Sequence, residues 1–217
     1  MAANFLKYFL TKYVMKNLYL FLMLSLGWIA TAQDSSIAKE VEKLKHLVEY
    51  NQYEQAQKKA DSLLLIFNKS GDKYLEYELS VTLQLGLMYE TKEDNNKALE
   101  ILLKVVDKAN QSNYHNTACH INIIIALVYE KRLEQELAKK YLDDADKIRI
   151  KHNVQELYST ILVRRSLYHR WFTKDLDSAL YYTKKGYEFA KQYNNEYDIV
   201  ESSLMIAIYE ANLTRWV

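Results

Sequence analysis

His115, Cys119 and His120 carry the most reactive side chains that stand close together in this chain. His115 and Cys119 are four apart, so on a helix they share a face and could offer a nitrogen and a sulfur to zinc. His120 points about a hundred degrees away, and no second ligand pair stands at a matching position. The expectation is a core cysteine beside surface histidines, with no metal and no cofactor. Cys119 is the only cysteine, so it makes no disulfide within the chain, and an oxidising compartment is permitted but not required. Asp143, Asp144 and Asp146, followed by Lys147 and Arg149, read as a solvated helix face with local ion pairs. The sequence has no glycine-rich phosphate loop, nucleophile elbow, His-Glu-x-x-His stretch or pair of Cys-x-x-Cys motifs. It therefore predicts a protein that is not an enzyme.

The elements that would position these residues are helices. The 217 residues include no proline and only four glycines, too few for the turns of a β-rich fold. A hydrophobic fraction of 49% suffices for a core, and 26% charged residues suit a solvated exterior. Nineteen tyrosines are many; they read mostly as half-buried contacts between helices, with a tyrosine-lined recognition surface as the alternative. Apolar residues recur at three-and-four spacing and predict helices over 36–50, 53–69, 73–92, 95–112, 114–132, 134–152, 154–172 and 175–194, with a ninth from Glu196.

A pattern recurs every 40 residues along these helices. Leu85-Gly86-Leu87-Met88-Tyr89-Glu90 is followed by Ile125-Ala126-Leu127-Val128-Tyr129-Glu130. Arg165-Ser166-Leu167-Tyr168-His169-Arg170 and Met205-Ile206-Ala207-Ile208-Tyr209-Glu210 come next. Such a period signals stacked helix pairs, none able to bury its apolar face alone. Gly86, Ala126 and Ser166 on the first helices, and Ala98, Ala138 and Ala179 on the second, are small residues that let helix axes approach to ~8–10 Å. Leu102 and Leu142, with Val105 and Ala145, supply the inward face of the second helices. One extra residue separates Ser166 from Ala179, and it should enlarge the turn near Trp171-Phe172-Thr173.

Leu85-Gly86, Tyr89, Ala98, Leu102 and Val105 resemble the tetratricopeptide repeat signature, with its glycine-to-alanine distance of twelve. Ala126, Tyr129, Ala138, Leu142 and Ala145 match it again, and Ser166, His169, Ala179 and Gly186 more loosely. The period of 40 exceeds the family's usual length, and the proline that normally ends the second helix is absent. The resemblance implies an all-α solenoid of antiparallel helix pairs, a right-handed superhelix of about 4.5 repeats over 33–217, with the last repeat incomplete. It also implies that the first helices line a concave face. There Leu83, Leu87 and Glu90, then Ile123, Leu127 and Glu130, then Val163, Leu167 and Arg170 would hold an amphipathic peptide or protein segment. The competing reading is that the apolar members of this set pack against the next repeat.

Residues 1–32 read as a signal peptide, with Lys16, an apolar run from Leu18 to Ala30 and the small-x-small site Ala30-Thr31-Ala32. Met15 is then a candidate start. The run is shorter than the ~20 residues of a membrane span, so the expectation is an exported, periplasmic or extracytoplasmic chain with no span after cleavage. Removing Lys7, Lys12 and Lys16 leaves 26 basic against 28 acidic side chains, a net of −2, with no basic footprint for nucleic acid. The last helix is apolar on several sides, which predicts either self-association through it or a longer natural protein. For the longer protein, the resemblance extends to the exported sensor regions of Bacteroidetes-type histidine kinases or helix-turn-helix regulators in signal transduction.

Overall fold

The computed structural model describes residues 35–214. It divides into two units, residues 1–43 and 44–217. The first is described only from residue 35, where helix α1 (35–49) begins. The second contains α2 (Tyr53–Ser70), a 3-10 turn (Gly71–Tyr74), α3 (Leu75–Thr91), α4 (Asn95–Leu103), α5 (Val106–Gln111) and α6 (His115–Lys131). These are followed by α7 (Gln135–His152), α8 (Tyr158–Tyr168), a π-turn (His169–Thr173), α9 (Leu176–Gln192) and α10 (Glu196–Thr214). Among the described residues there is no strand. The expected leader over 1–32, the start at Met15 and the terminal Trp216-Val217 lie outside the described residues.

Helices of the second unit pack on their neighbours in sequence, α3 on α4, α6 on α7, α8 on α9 and α9 on α10. The small residues stand where the first helix of each pair meets the second. Gly86 is buried, and a Cβ added there would lie 2.6–2.8 Å from Leu102 on α4. One period on, Ala126 shares a core cluster with Leu142 and Ala145. One further, Ser166 Oγ and Thr183 Oγ1 are 2.5 Å apart and both fully buried. Glycine against leucine, alanine against leucine and serine against threonine thus occupy one structural position. Gly186 makes a second close approach, its absent Cβ 3.3 Å from Leu162 Cβ. Ala98, Ala138 and Ala179 are buried, and Tyr129 stacks on Tyr141 with ring centroids 5.7 Å apart.

The turns repeat as faithfully as the helices. Residues at Asn51, Glu93, Leu133, Asn153, Lys174 and Asn194 adopt positive φ. The bonds Glu93 N to Glu90 O (3.0 Å) and Asp94 N to Tyr89 O (2.9 Å) form the paired C-cap that usually takes glycine. Leu133 with Glu134, Asn194 with Asn195 and Asn51 with Gln52 form it again. Asparagine tolerates this conformation, which lets the chain turn with few glycines. Asp94 then caps α4 by accepting from Lys97 N (3.1 Å), as Asp175 caps α9 from Ser178 N (2.9 Å).

The extra residue enlarges the turn where expected: His169–Thr173 winds as a π-turn, and the closing bond spans six residues, Asp175 N to His169 O, instead of five. Single-residue insertions are commonly held this way, since one wider turn leaves the flanking faces in register. One expectation is corrected: the predicted helix over 95–112 breaks at Lys104-Val105, where Val105 has φ −117°. Val106, 4% exposed, takes the inward place expected of Val105, which is half-buried.

Gly86→Ala is expected to lower stability by about 1–3 kcal/mol, because the fully buried Leu102 cannot yield without strain. Thermal unfolding checks it, with Gly186→Ala as the milder control and Gly86→Ala/Leu102→Ala expected to be less than additive. Leu133 is 75% exposed at φ +59°. Leu133→Gly should therefore raise stability by about 1 kcal/mol, and a lower melting temperature would refute the strain at this turn.

Candidate binding face

The first helices α3, α6, α8 and α10 lie side by side, each packed on the next in that order. Their shared face carries the residues expected to bind a partner, and the structure sorts these into three groups. Leu83, Ile123 and Val163 are 7%, 1% and 0% exposed. Leu83 packs with Leu79 and Leu99, Ile123 with Leu142 and Ile161, and Val163 with Ala179 and Met205. All three belong to the core. Leu87, Leu127 and Leu167 are half-buried and stand 40 residues apart on α3, α6 and α8. They keep part of their surface in solvent.

Of the charged members, Glu90 makes an ion pair across helices and Glu130 lies beside another. Glu90 of α3 pairs with Lys131 of α6. Arg164 of α8 is 9% exposed and donates to Glu201 Oε1 of α10 at 2.5 Å. Glu130 of α6 completes the group: burial pushes its carboxyl up to about 7, Arg164 opposes that rise, and the charge on Glu201 adds to it. Burial works against the guanidinium of Arg164, but Glu201 and Glu130 hold it above its ordinary value. Glu201 thus holds the buried cation and ties α8 to α10, at a cost in desolvation, while the carboxyl of Glu130 feels the charge of both. Arg170 sits apart in the π-turn, its guanidinium 5.6 Å from the ring centroid of Trp171.

Sequence reasoning did not find Arg164, Glu201 or Lys131. A signal was present, since Gln84, Ile124, Arg164 and Leu204 form one 40-residue column in which an arginine is out of character. Nor did it find Asp198, which is 1% exposed and accepts from Ser159 Oγ (2.6 Å), Thr160 Oγ1 (2.8 Å) and Asn195 Nδ2 (2.7 Å). This carboxylate joins the start of α10 to α8.

The residues with reactive chemistry do not converge. Cys119 is fully buried, its Sγ donates to Ala145 O at 3.4 Å, and burial pushes its thiol up to about 12. Such a thiol is neither a nucleophile nor a ready ligand at neutral pH. The ring of His115 stacks on His152, centroids 3.4 Å apart, while burial lowers His120 against the pull of Asp198. Asp143 and Asp144 pair with Lys139, Lys140 and Lys147 along α7, as expected. Arg165 of α8 also bridges Asp143 (3.0 Å) and Asp146 (3.1 Å), so this face is part of the helix packing.

Two clefts lie elsewhere. One of about 320 Å³ opens between α2 and α3 beside Tyr53, Gln57, Tyr89 and Lys92. Another of about 490 Å³ opens among α2, α3 and α4 over Leu64, Leu85, Ile101 and Val105. Neither is lined by any of the expected binding residues. No described helix is long and apolar enough to cross a membrane. No family model, curated protein or solved structure matches the chain.

Because the carboxyl of Glu130 is raised in the folded state, its contribution is fully present below its unfolded value near 4.5 and is lost as pH rises through about 7. Glu130→Gln should match the parent near pH 4 and exceed it by on the order of 1–3 kcal/mol above pH 8. Denaturant melts at both pH values check this; a variant weaker than the parent at high pH would make Glu130 a net stabiliser of Arg164.

Proposed function

We propose that this chain is a non-catalytic, exported scaffold of tetratricopeptide type that binds a protein segment or peptide along its first helices. The observation that carries the reading is the row of Leu87, Leu127 and Leu167. These leucines stand at equal steps on three adjacent helices, are partly buried with some surface left in solvent, and are flanked by the pair of Glu90 and Lys131 and by Glu130 and Arg164. An amphipathic segment can lay its apolar side on such a row and its polar side towards the charges. The 40-residue recurrence of crossings and turns supports the repeat reading, and the leader-like sequence of residues 1–32 supports export. The buried, weakly acidic thiol of Cys119 supports a role without catalysis.

Panning a displayed random-peptide library against the protein tests the reading. Peptides sharing an apolar spacing of three and four should be enriched, and Leu127→Glu should abolish enrichment at unchanged helicity. Equal enrichment by the parent and Leu127→Glu would move the site off this face, and none at all would remove the function.

A further inference from the structure

We propose that the stacked imidazoles of His115 and His152 are an acid-operated latch: the pair stays closed while it carries at most one proton, and a second proton frees the end of α7 from the start of α6. The starting observation is a contact between two helix ends. His115 is the first residue of α6 and His152 the last of α7, and their ring centroids lie 3.4 Å apart with 18° between the planes. Both side chains are half-buried. Among the described residues neither ring has a carboxylate or a hydrogen-bond partner.

Stacking at this distance suits two neutral rings, or one neutral and one charged, since a cation is attracted to a neighbouring ring face. Two charged rings repel each other. The helix ends impose the same limit. One ring stands at a helix C-terminus, which favours a positive charge, and the other at an N-terminus, which opposes one. The pair therefore titrates as a unit, with its second step displaced to lower pH. Burial lowers His152 below the ordinary histidine value, and the adjacent His115 and Lys151 lower it further.

Charges on the surrounding elements do not compensate a second proton. On α7, Lys151 acts against it, while Arg149 is turned to Asp146 (2.7 Å) and to the ring of Tyr158 at the start of α8 (3.8 Å). In the turn after α7, the carboxylate of Glu156 accepts from Asn116 Nδ2. On α6, Cys119 remains a neutral thiol and His120 feels Asp198 of α10. On α5, which packs against α6, Asp107 is exposed and Lys108 is held by Asp72 and Glu78.

What flanks the latch confines its opening. Asn153 follows His152 in the left-handed conformation, and Val154 N closes the helix end on Arg149 O at 3.0 Å. One helical turn further along α6, Cys119 Sγ donates to Ala145 O, and the buried cluster of Ile123, Ala126, Leu142 and Ala145 begins. The last turn of α7 and residues 153–157 are thus free to lift while the crossing stays packed. The open state binds one proton more than the closed state, so opening is favoured as pH falls below the ordinary histidine value of 6.5. The inference does not depend on whether the first helices bind a peptide.

Amide hydrogen exchange of the full chain tests the latch, with a chelator present, from about pH 7.5 to about pH 5 and corrected for the intrinsic rate. In the parent, protection over residues 149–157 should fall by about tenfold per pH unit once the second proton binds, while residues 123–145 keep theirs. His152→Gln and His115→Gln should each remove that slope, and His120→Gln should leave it. Proton NMR of the imidazoles should show two steps about one pH unit or more apart, and His115→Gln should raise the midpoint of His152. Local protection indifferent to pH would overturn the proposal, as would a slope that survives His152→Gln or one equal along all helices. So would a single titration step shared by both rings.

Discussion

The close crossing of first and second helices is the constraint on which the rest of the structure depends. At Gly86 the space a methyl group would need is filled by Leu102, which has no exposed surface. Because the axes approach there, Ala98 and Leu99 reach the core with Leu79 and Leu83. The next pair keeps the approach with Ala126 beside Leu142, and the third replaces apolar filling by a hydrogen bond between Ser166 and Thr183. That replacement is tolerated because each hydroxyl is satisfied: Thr183 Oγ1 also donates to Ala179 O at 2.8 Å.

Turn geometry follows from the same constraint. A crossing preserved at equal steps needs the chain to reverse in the same way each time. The left-handed residue with its two C-cap bonds does this at Glu93, Leu133 and Asn194. Where an extra residue intrudes, the π-turn over His169–Thr173 takes it up, so Ser166 before it and Ala179 after it both stay at their crossing. Helix registry is conserved at the expense of local helix geometry, because misplacing a crossing would disturb a whole core cluster, whereas a wide turn disturbs only itself.

Between the first helices the forces differ. There the contacts mix half-buried leucines with buried charge, and the pair of Arg164 and Glu201 joins α8 to α10. Such a pair is a weak source of net stability but a strong one of alignment, since removing Arg164 or Glu201 leaves an unpaired charge in a poorly solvated place. Asp198, held by three donors from its surroundings, fixes the beginning of α10 in the same manner.

Helix identity and approximate ends, the small residues at the crossings and the burial of Cys119 were all legible in the sequence, because each depends on local periodicity or on side-chain size. The 40-residue column containing Arg164 carried its signal as well, though only as an anomaly. Which of Leu83, Leu87, Ile123, Leu127, Val163 and Leu167 would be core and which surface was not legible, since all six are apolar at helical spacing. Their division depends on the angle at which adjacent first helices meet. The same holds for Val105 and Val106, whose roles exchanged at a helix break, and for the partnership of Arg164 with Glu201, 37 residues apart. Periodicity along one helix determines what can be buried; only the packing of a second helix against it decides what is.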